Sequence, residues 1–589
     1  MPTLNWIGKE KVINHHQDVP YKILEPQYGF MDGVEQPEPN NSGNKIIHGD
    51  NLEALKSLLP EYEGKIDCIY IDPPYNTGNE SWVYNDNVNN PKIKKWLGEV
   101  VGKDGEDLTR HDKWLCMMYP RLKLLKKLLA KNGSLVISIG YQEVFNLMQI
   151  VQELFSSKQI GCVTVQTSGG KPSGSFNYQH EYLIFIVPND FEANPMSFTG
   201  GKERTPFEGL TLATFDKTQR PNQTYPIFIN TETNCIDSIG ESLQERIKNG
   251  SYTGELIDFV YNFNEAPEGT VAIWPITSKG KNCVWRLSPN RLFSDWEKGY
   301  IKISHNRQMT SLNKYSIQYL PEGIIKKIEK GILNVSGKEN NSPTLTFGEN
   351  KTVGSDIPTV WLEKEFYSVK GTTLLNEIFS TKKFNYPKPL SLVSEVIRAL
   401  TSPDDIVLDS FAGSGSTAHA TLELNKEDDG NRKFILIEME DYANKVTAER
   451  VKRVINGYGE DDKKVEGTGG SFNYYELGEP LFLEEDILNE AVGIENILKY
   501  IWYSETRTPF TTIPDLAEAN YRIGSKDQTD YYFYYLIDGQ TTVDYDFMAK
   551  IKHKASQYII YADNCLLEKD FMLKHHIIFK KIPRDITRF

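Results

Sequence analysis

Two consecutive prolines, Pro73 and Pro74, end the short apolar run Ile66–Ile71, and they constrain the fold more than any other feature of the chain. Proline cannot donate a ladder N–H and biases the residue before it towards extended backbone, so a strand must stop at Asp72. A buried strand that ends this way delivers Asp72, a rigid Pro-Pro and the ring of Tyr75 to its carboxyl edge, where open α/β sheets bind ligands. The tetrapeptide alone fits a plain structural turn equally well, so its surroundings decide. Trp114–Ala130 reads as an amphipathic helix with Leu115, Met118, Leu122, Leu125 and Leu129 on one face, and Asn132-Gly133 reads as its C-cap. Ser134–Ile139 and Tyr182–Val187 read as strands. This rhythm predicts right-handed crossovers in a largely parallel sheet.

The rhythm lapses between about 191 and 365, where Asn, Gly, Ser, Thr and Pro dominate, and the stretch from Gly331 to Asp356 reads as long loops. It then returns: Ile406–Ser410 is a predicted strand, Gly415–Leu424 a helix, Lys433–Glu438 a strand and Tyr442–Ile455 a helix. Four segments follow: 1–190 and 366–465 as two parts of one α/β domain, 191–365 as an insert, and 466–589 as an α+β C-terminal domain. Between the returning strand and helix lies Asp409-Ser410-Phe411-Ala412-Gly413-Ser414-Gly415-Ser416-Thr417. Its glycines permit a tight turn and close approach of a ligand to backbone at a helix N-terminus. The next strand ends at Glu438, where an acid can accept from two ribose hydroxyls or simply be a strand-end charge. No third glycine stands at dinucleotide spacing, so a mononucleoside such as S-adenosylmethionine fits better than NAD. Asp72 and the Pro73 carbonyl are adjacent acceptors beside a stacking ring, which suits a planar base bearing an exocyclic amine.

Composition narrows the rest. The chain has 589 residues, a formal charge of −14 and six cysteines, none in a Cys-x-x-Cys pair. This argues against a zinc ribbon or a secreted disulfide scaffold and for a soluble protein of a reducing compartment, expected in the cytoplasm. No apolar run approaches the length of a membrane helix. Charge is uneven: from Val271 to Lys330 eleven basic residues stand against four acidic ones, whereas from Asp461 to Phe589 fifteen stand against twenty-two. His15-His16 and His575-His576 have no carboxylate or cysteine cluster at ligand spacing, so no metal site is expected. No Gly-x-x-x-x-Gly-Lys-Ser/Thr loop occurs, so no motor ATPase is expected. No cysteine follows a proline, which argues against covalent attack on cytosine C5.

With both motifs in hand, the chain resembles the beta-class amino DNA methyltransferases, and within them the modification (Mod) subunits of type III restriction-modification systems. The resemblance rests on Asn5–Lys9, His48–Leu52, Ile69–Gly78, His180-Glu181-Tyr182, Phe384–Pro389, Phe411–Thr417 and Ile437-Glu438. It implies a seven-stranded, circularly permuted Rossmann-like sheet, an inserted target-recognition domain, and S-adenosyl-L-methionine as cofactor. The implied reaction is methylation of the N6 amine of a flipped-out adenine, with Asp72, Pro73, Pro74 and Tyr75 catalytic. Asp50, Lys388, Asp409, Phe411, Gly413, Gly415 and Glu438 are the implied cofactor contacts. Asp50 equally fits an N-cap for a helix at Leu52–Leu58, and Lys388 either meets the donor's carboxylate or is a solvated loop lysine. Asn76, Trp82 and Tyr84 after the first motif, and Lys281, Arg286, Arg291 and Arg307 in the insert, are the expected DNA contacts. The tryptophans Trp274, Trp285 and Trp296 interleave with those basic residues and serve either packing or DNA. The implied partners are double-stranded DNA, a second copy of the chain, and a separate restriction subunit, with the acidic tail as a candidate contact. Alternatives are an orphan enzyme, one acting on cytosine N4 or RNA, and an inactive DNA-binding regulator of the same fold.

Overall fold

The computed structural model describes residues 3–77, 110–173, 175–199, 206–277, 280–306, 312–329, 333–347, 356–459, 464–483, 487–510, 516, 519–537 and 539–589. They form two compact units: Met1–Phe198 with Asp356–Phe589, and Thr199–Ser355.

The first unit is built on one sheet. In chain order its strands are β1 (Lys22–Met31), β2 (Val34–Gln36), β3 (Lys45–His48), β4 (Ile66–Ile71), β5 (Leu129–Ile139), β6 (Gln159–Ser173), β7 (Phe176–Val187), β8 (Val360–Trp361), β9 (Ile406–Asp409), β10 (Lys433–Glu438) and β11 (Phe472–Pro480). Their spatial order is β8-β6-β7-β5-β4-β9-β10-β3-β11-β1-β2. The centre is parallel, from β5 through β4, β9, β10 and β3 to β11, and antiparallel pairs flank it. Among the described residues the sheet therefore has eleven strands where the resemblance implied seven. Part of the excess comes from the segment after 466, expected to stand apart, whose β11 pairs with β3 and β1.

The central strands are covered on both faces, which is why they read as nearly unbroken apolar runs. Ile69, Ile71, Leu135, Ile137, Leu408, Ile435 and Ile437 face one core, with helices α1 (Asn51–Tyr62), α2 (Arg110–Leu128) and α3 (Val144–Leu154). The alternate residues Cys68, Tyr70, Val136 and Val407 face a second core, with α4 (Leu390–Leu400), while Phe434 and Leu436 face a third. The period of two thus sends Ser138, Asp409 and Glu438 to that second side as well.

The expected end of α2 is corrected. The helix stops at Leu128, and Asn132-Gly133 lies inside β5. Ile66 pairs with Leu129 and Cys68 with Ser134, so Ala130–Gly133 is a bulge. A Cβ at Gly133 would stand 2.7 Å from the Ile66 carbonyl oxygen, so glycine is required here for close strand approach. The expected helix at Tyr442–Ile455 is a π-turn, Ala443–Ala448, running into α6 (Glu449–Asn456). Helix α5 (Ser416–Asp428) lies between β9 and β10. Further on, α7 (Ile494–Thr506) precedes a four-stranded sheet of β12 (Arg522–Lys526), β13 (Thr529–Phe533), β14 (Gln557–Ala562) and β15 (Ile577–Lys581).

Among its described residues the second unit carries small antiparallel sheets, the largest with three strands, and short helices at Leu243–Lys248, Pro289–Glu297 and Glu322–Glu329. Trp285 and Trp296 are buried in one core with Tyr225 and Ile227, and Trp274 in another, stacked on Tyr261 at 4.7 Å. These tryptophans serve packing.

Candidate active site

Strand β4 hands on to β5 on one side, and β9 hands on to β10 on the other. The connections diverge at the β4–β9 boundary, so a crevice opens beyond the carboxyl ends of these two neighbours. Asp72 follows β4 and Asp409 ends β9. They line one cavity of about 30 Å³, together with Tyr70, Phe384, Tyr386, Pro387, Lys388, Phe411, Gly413, Ser414 and Thr417. Residues more than 300 positions apart thus meet around one shared space.

The loop after β9 is held from behind. Gly413 and Gly415 have φ of 52° and 80°, a left-handed backbone that glycine adopts without strain. Asp409 accepts from the Phe411 N–H at 2.9 Å and the Thr417 hydroxyl at 2.6 Å, and Glu438 accepts from the Gly413 N–H at 2.8 Å. Arg450, fully buried, donates to the hydroxyls of Ser414 and Ser416. Burial raises both Asp409 and Glu438 to about 7.

The Asp-Pro-Pro-Tyr segment is equally fixed. The Trp114 indole N–H donates to the Pro74 carbonyl at 2.7 Å. The Tyr75 hydroxyl is 2.6 Å from Ser138 Oγ and donates to Glu181 Oε2 at 2.9 Å. Lys388 Nζ donates to that same Glu181 oxygen at 2.8 Å and to the Tyr75 hydroxyl at 2.5 Å, and it stands 3.2 Å from Asp72 Oδ1. This last contact is not aligned as a hydrogen bond, and Asp72 Oδ1 is a buried acceptor without a hydrogen-bond donor among the described residues. Burial raises Asp72 to about 6; Lys388 pulls it down and Glu181 pushes it up. Tyr75 and Glu181 of this cluster also border a larger cavity of about 490 Å³. Tyr75, Tyr141, Tyr178, His180, Glu181 and Tyr386 contribute to its lining. Tyr141 and Tyr178 are stacked at 4.0 Å. Only Tyr386 borders both cavities among their lining residues.

A family model described as DNA methylase matches residues 66–449, and so takes in both motifs and the insert. The chain belongs to the DNA methylase family. Among curated relatives, the type III restriction-modification enzyme EcoPI Mod subunit of Escherichia phage P1 is 28% identical over 75% of this chain and 64% of its own length. The EcoP15I Mod subunit of Escherichia coli is 26% identical, over 74% and 64%. The type II methyltransferase M.KpnI of Klebsiella pneumoniae is 28% identical, over 69% and 84%. The chain thus spans just under two thirds of the length of these Mod subunits. The solved M1.HpyAVI–SAM complex covers 69% of this chain at 13% identity and a TM-score of 0.26, a distant likeness.

The other expected contacts fall unevenly. Asp50 caps α1, accepting from the Leu52 and Glu53 N–H groups, and lies 3.6 Å from Arg121. Neither Asp50 nor Glu438 is among the residues lining the small cavity, where Asp409, Phe411 and Gly413 are. Lys388 is neither a solvated lysine nor turned from the first motif: it is bound into it. Asn76, expected on DNA, is fully buried with φ of 59°, and its amide donates to Glu143 and to the Arg110 carbonyl. A side chain so enclosed has no surface to offer a nucleic acid. Trp82, Tyr84 and Arg307 lie outside the described residues. In the second unit Lys281, Arg286 and Arg291 are exposed, with Arg291 paired to Asp295 at 2.8 Å. Sequence reasoning gave no role to Glu181, Ser138 or Arg450; the His180-Glu181-Tyr182 triplet was the only available signal. Among the described residues no group of His, Cys, Asp or Glu stands close enough to hold a metal, and no helix is long and apolar enough to cross a membrane.

Proposed function

We propose that this chain methylates the N6 amine of an adenine flipped out of duplex DNA, as the modification and recognition subunit of a type III restriction-modification system. The observation that carries the reading is Asp72 Oδ1, a buried acceptor without a donor at the crevice. An exocyclic amine is a poor nucleophile because its lone pair delocalises into the ring. Asp72 and the Pro73 carbonyl accept its two N–H groups, favour a more tetrahedral nitrogen and aim the lone pair at the glycine loop. Alignment of this kind supplies much of the barrier reduction, and charge-assisted hydrogen bonds add to it. Tyr75 stacks on the base, for which the larger cavity has ample room.

S-adenosyl-L-methionine, when bound, supplies a sulfonium methyl as the electrophile. The donor set suits it: Asp409, Phe411 and Gly413 line the small cavity, and Ser410 Oγ and Tyr70 Oη are buried without partners among the described residues. Glu438, whose carboxylate accepts from the Gly413 and Glu440 N–H groups behind the loop, would meet a ribose only if it turned from those partners. At about 30 Å³ the small cavity does not itself hold a nucleoside, so donor binding would call for its lining, which includes Phe384, Tyr386, Pro387 and Lys388, to shift. The exposed Lys281, Arg286 and Arg291 of the second unit would contact phosphates or base edges. The relatives named as type III Mod subunits support a restriction-modification setting, in which this chain would pair with a second copy and a separate restriction subunit in the cytoplasm.

The test is to incubate the protein with radiolabelled methyl donor and duplex DNA, then digest to nucleosides. Label in N6-methyladenine supports the reading. Label in N4-methylcytosine moves the chain to the other amine, and no label under turnover conditions contradicts it.

A further inference from the structure

One ammonium, that of Lys388, serves two carboxylates. It donates a 2.8 Å hydrogen bond to Glu181, whereas with Asp72 it makes a longer ion pair at 3.2 Å that is not aligned as a hydrogen bond onto Oδ1. The Tyr75 hydroxyl meets the same Glu181 oxygen, and Lys388 Nζ lies 4.5 Å from the centre of the Tyr75 ring. Glu181 is set on β7 between β6 and β5, paired with Val165, and its neighbour Tyr182 pairs with Ile139. Its position is thus fixed by strands on both sides.

We propose that Glu181 is a positioning residue: by binding the Lys388 ammonium and the Tyr75 hydroxyl together, it keeps Lys388 from closing on Asp72 and leaves Asp72 Oδ1 open to the target amine. The inference deepens the methyltransferase reading and rests on it. A lysine with a single anion nearby forms a short charge-assisted bond to it. In a largely buried cluster that bond would occupy the acceptor the amine needs. With two anions, the ammonium is held by the better-placed one. Asp72 keeps its vacant lone pair, at the cost of a carboxyl pushed up by Glu181, and Tyr75 keeps its ring at the larger cavity. Among the described residues, the charged or titratable groups acting on Asp72 are Lys388, Glu181, Tyr70, Tyr75 and Asp409. Of these, Glu181 is the one whose removal frees the lysine.

The experiment compares full-length wild type, Glu181→Gln and Glu181→Gln/Lys388→Met in steady-state methylation across pH. Glutamine retains a hydrogen-bond acceptor but not the charge. The expected result is a kcat down by about 100-fold in Glu181→Gln, with KM for DNA changed less than about threefold. The acid limb of kcat should move down by about one pH unit, because Lys388 then stabilises the ionised Asp72 alone. Adding Lys388→Met should recover about tenfold of the lost kcat and move the limb back up, since the intruding ammonium is gone. An unmoved or raised acid limb, an unchanged kcat, or a double variant no faster than the single one would overturn the proposal. A fall of more than about 10 °C in melting temperature for Glu181→Gln would do the same, making the residue a structural one. Wild type that transfers no methyl to DNA would strike the underlying function instead, a separate outcome visible in the control.

Discussion

Burial pushes the Asp72 carboxyl up to about 6, and only its ionised form offers two acceptor oxygens without a proton of its own. Methylation should therefore rise with pH through about 6 and level off above it. The sign follows from the role: protonation below that value removes the acceptor. The apparent value belongs to the coupled cluster with Lys388 and Glu181, and a kcat profile at saturating donor and DNA measures it. A second residue-scale expectation concerns Trp114, whose indole N–H is the hydrogen-bond donor to the Pro74 carbonyl. Trp114→Phe keeps most of the ring but leaves a buried carbonyl unpaired, so it should destabilise the fold by about 1–3 kcal/mol, read by denaturant unfolding. This bond was invisible in the sequence, as was the burial of Asn76. A polar residue beside an active motif reads as exposed, and nothing local announces that Glu143, 67 positions on, takes its amide.

Elements were legible where both ends carry a local signal. Strand β10 was read residue for residue, because a polar turn precedes Lys433 and an acid closes it at Glu438. The end of α2 was misread because Asn-Gly marks both a helix stop and a tight bulge, and which applies depends on β4 alongside. The loop before α5 has a simpler logic. A Cβ at Gly415 would stand 3.1 Å from the Thr447 carbonyl oxygen at a φ of 80°. Gly415→Ala should weaken donor binding by about tenfold in calorimetry, through displacement of the loop. Helix α1 carries a different strain. Lys56 is 2% exposed, donates to the His16 and Gln17 carbonyls, and is drawn down to about 7 by burial. The unfolded chain then binds more protons than the folded one between about 7 and 10.5, so wild-type stability should rise across that window. Lys56→Met removes the penalty, so its melting temperature relative to wild type should be most favourable below pH 7 and decline towards pH 10.

At the scale of the molecule, the return of α/β rhythm after the insert was enough to foresee that Asp72 and Gly413 share one sheet. The eleven-strand width and the attachment of the C-terminal segment were not foreseeable, because strand pairing between β11 and β3 spans more than 400 residues. The insert's basic residues carry a prediction of their own. If Lys281 and Arg286 meet phosphates, replacing both with alanine should reduce the salt dependence of DNA affinity by a slope of about two, with donor affinity unchanged. The central claim is that Asp72 acts on the base and the glycine loop on the donor, across one crevice. Single-turnover methyl transfer by Asp72→Asn, at saturating donor and DNA, tests it most directly. The expected rate is about a thousandfold below wild type. A rate within about tenfold of wild type would contradict it.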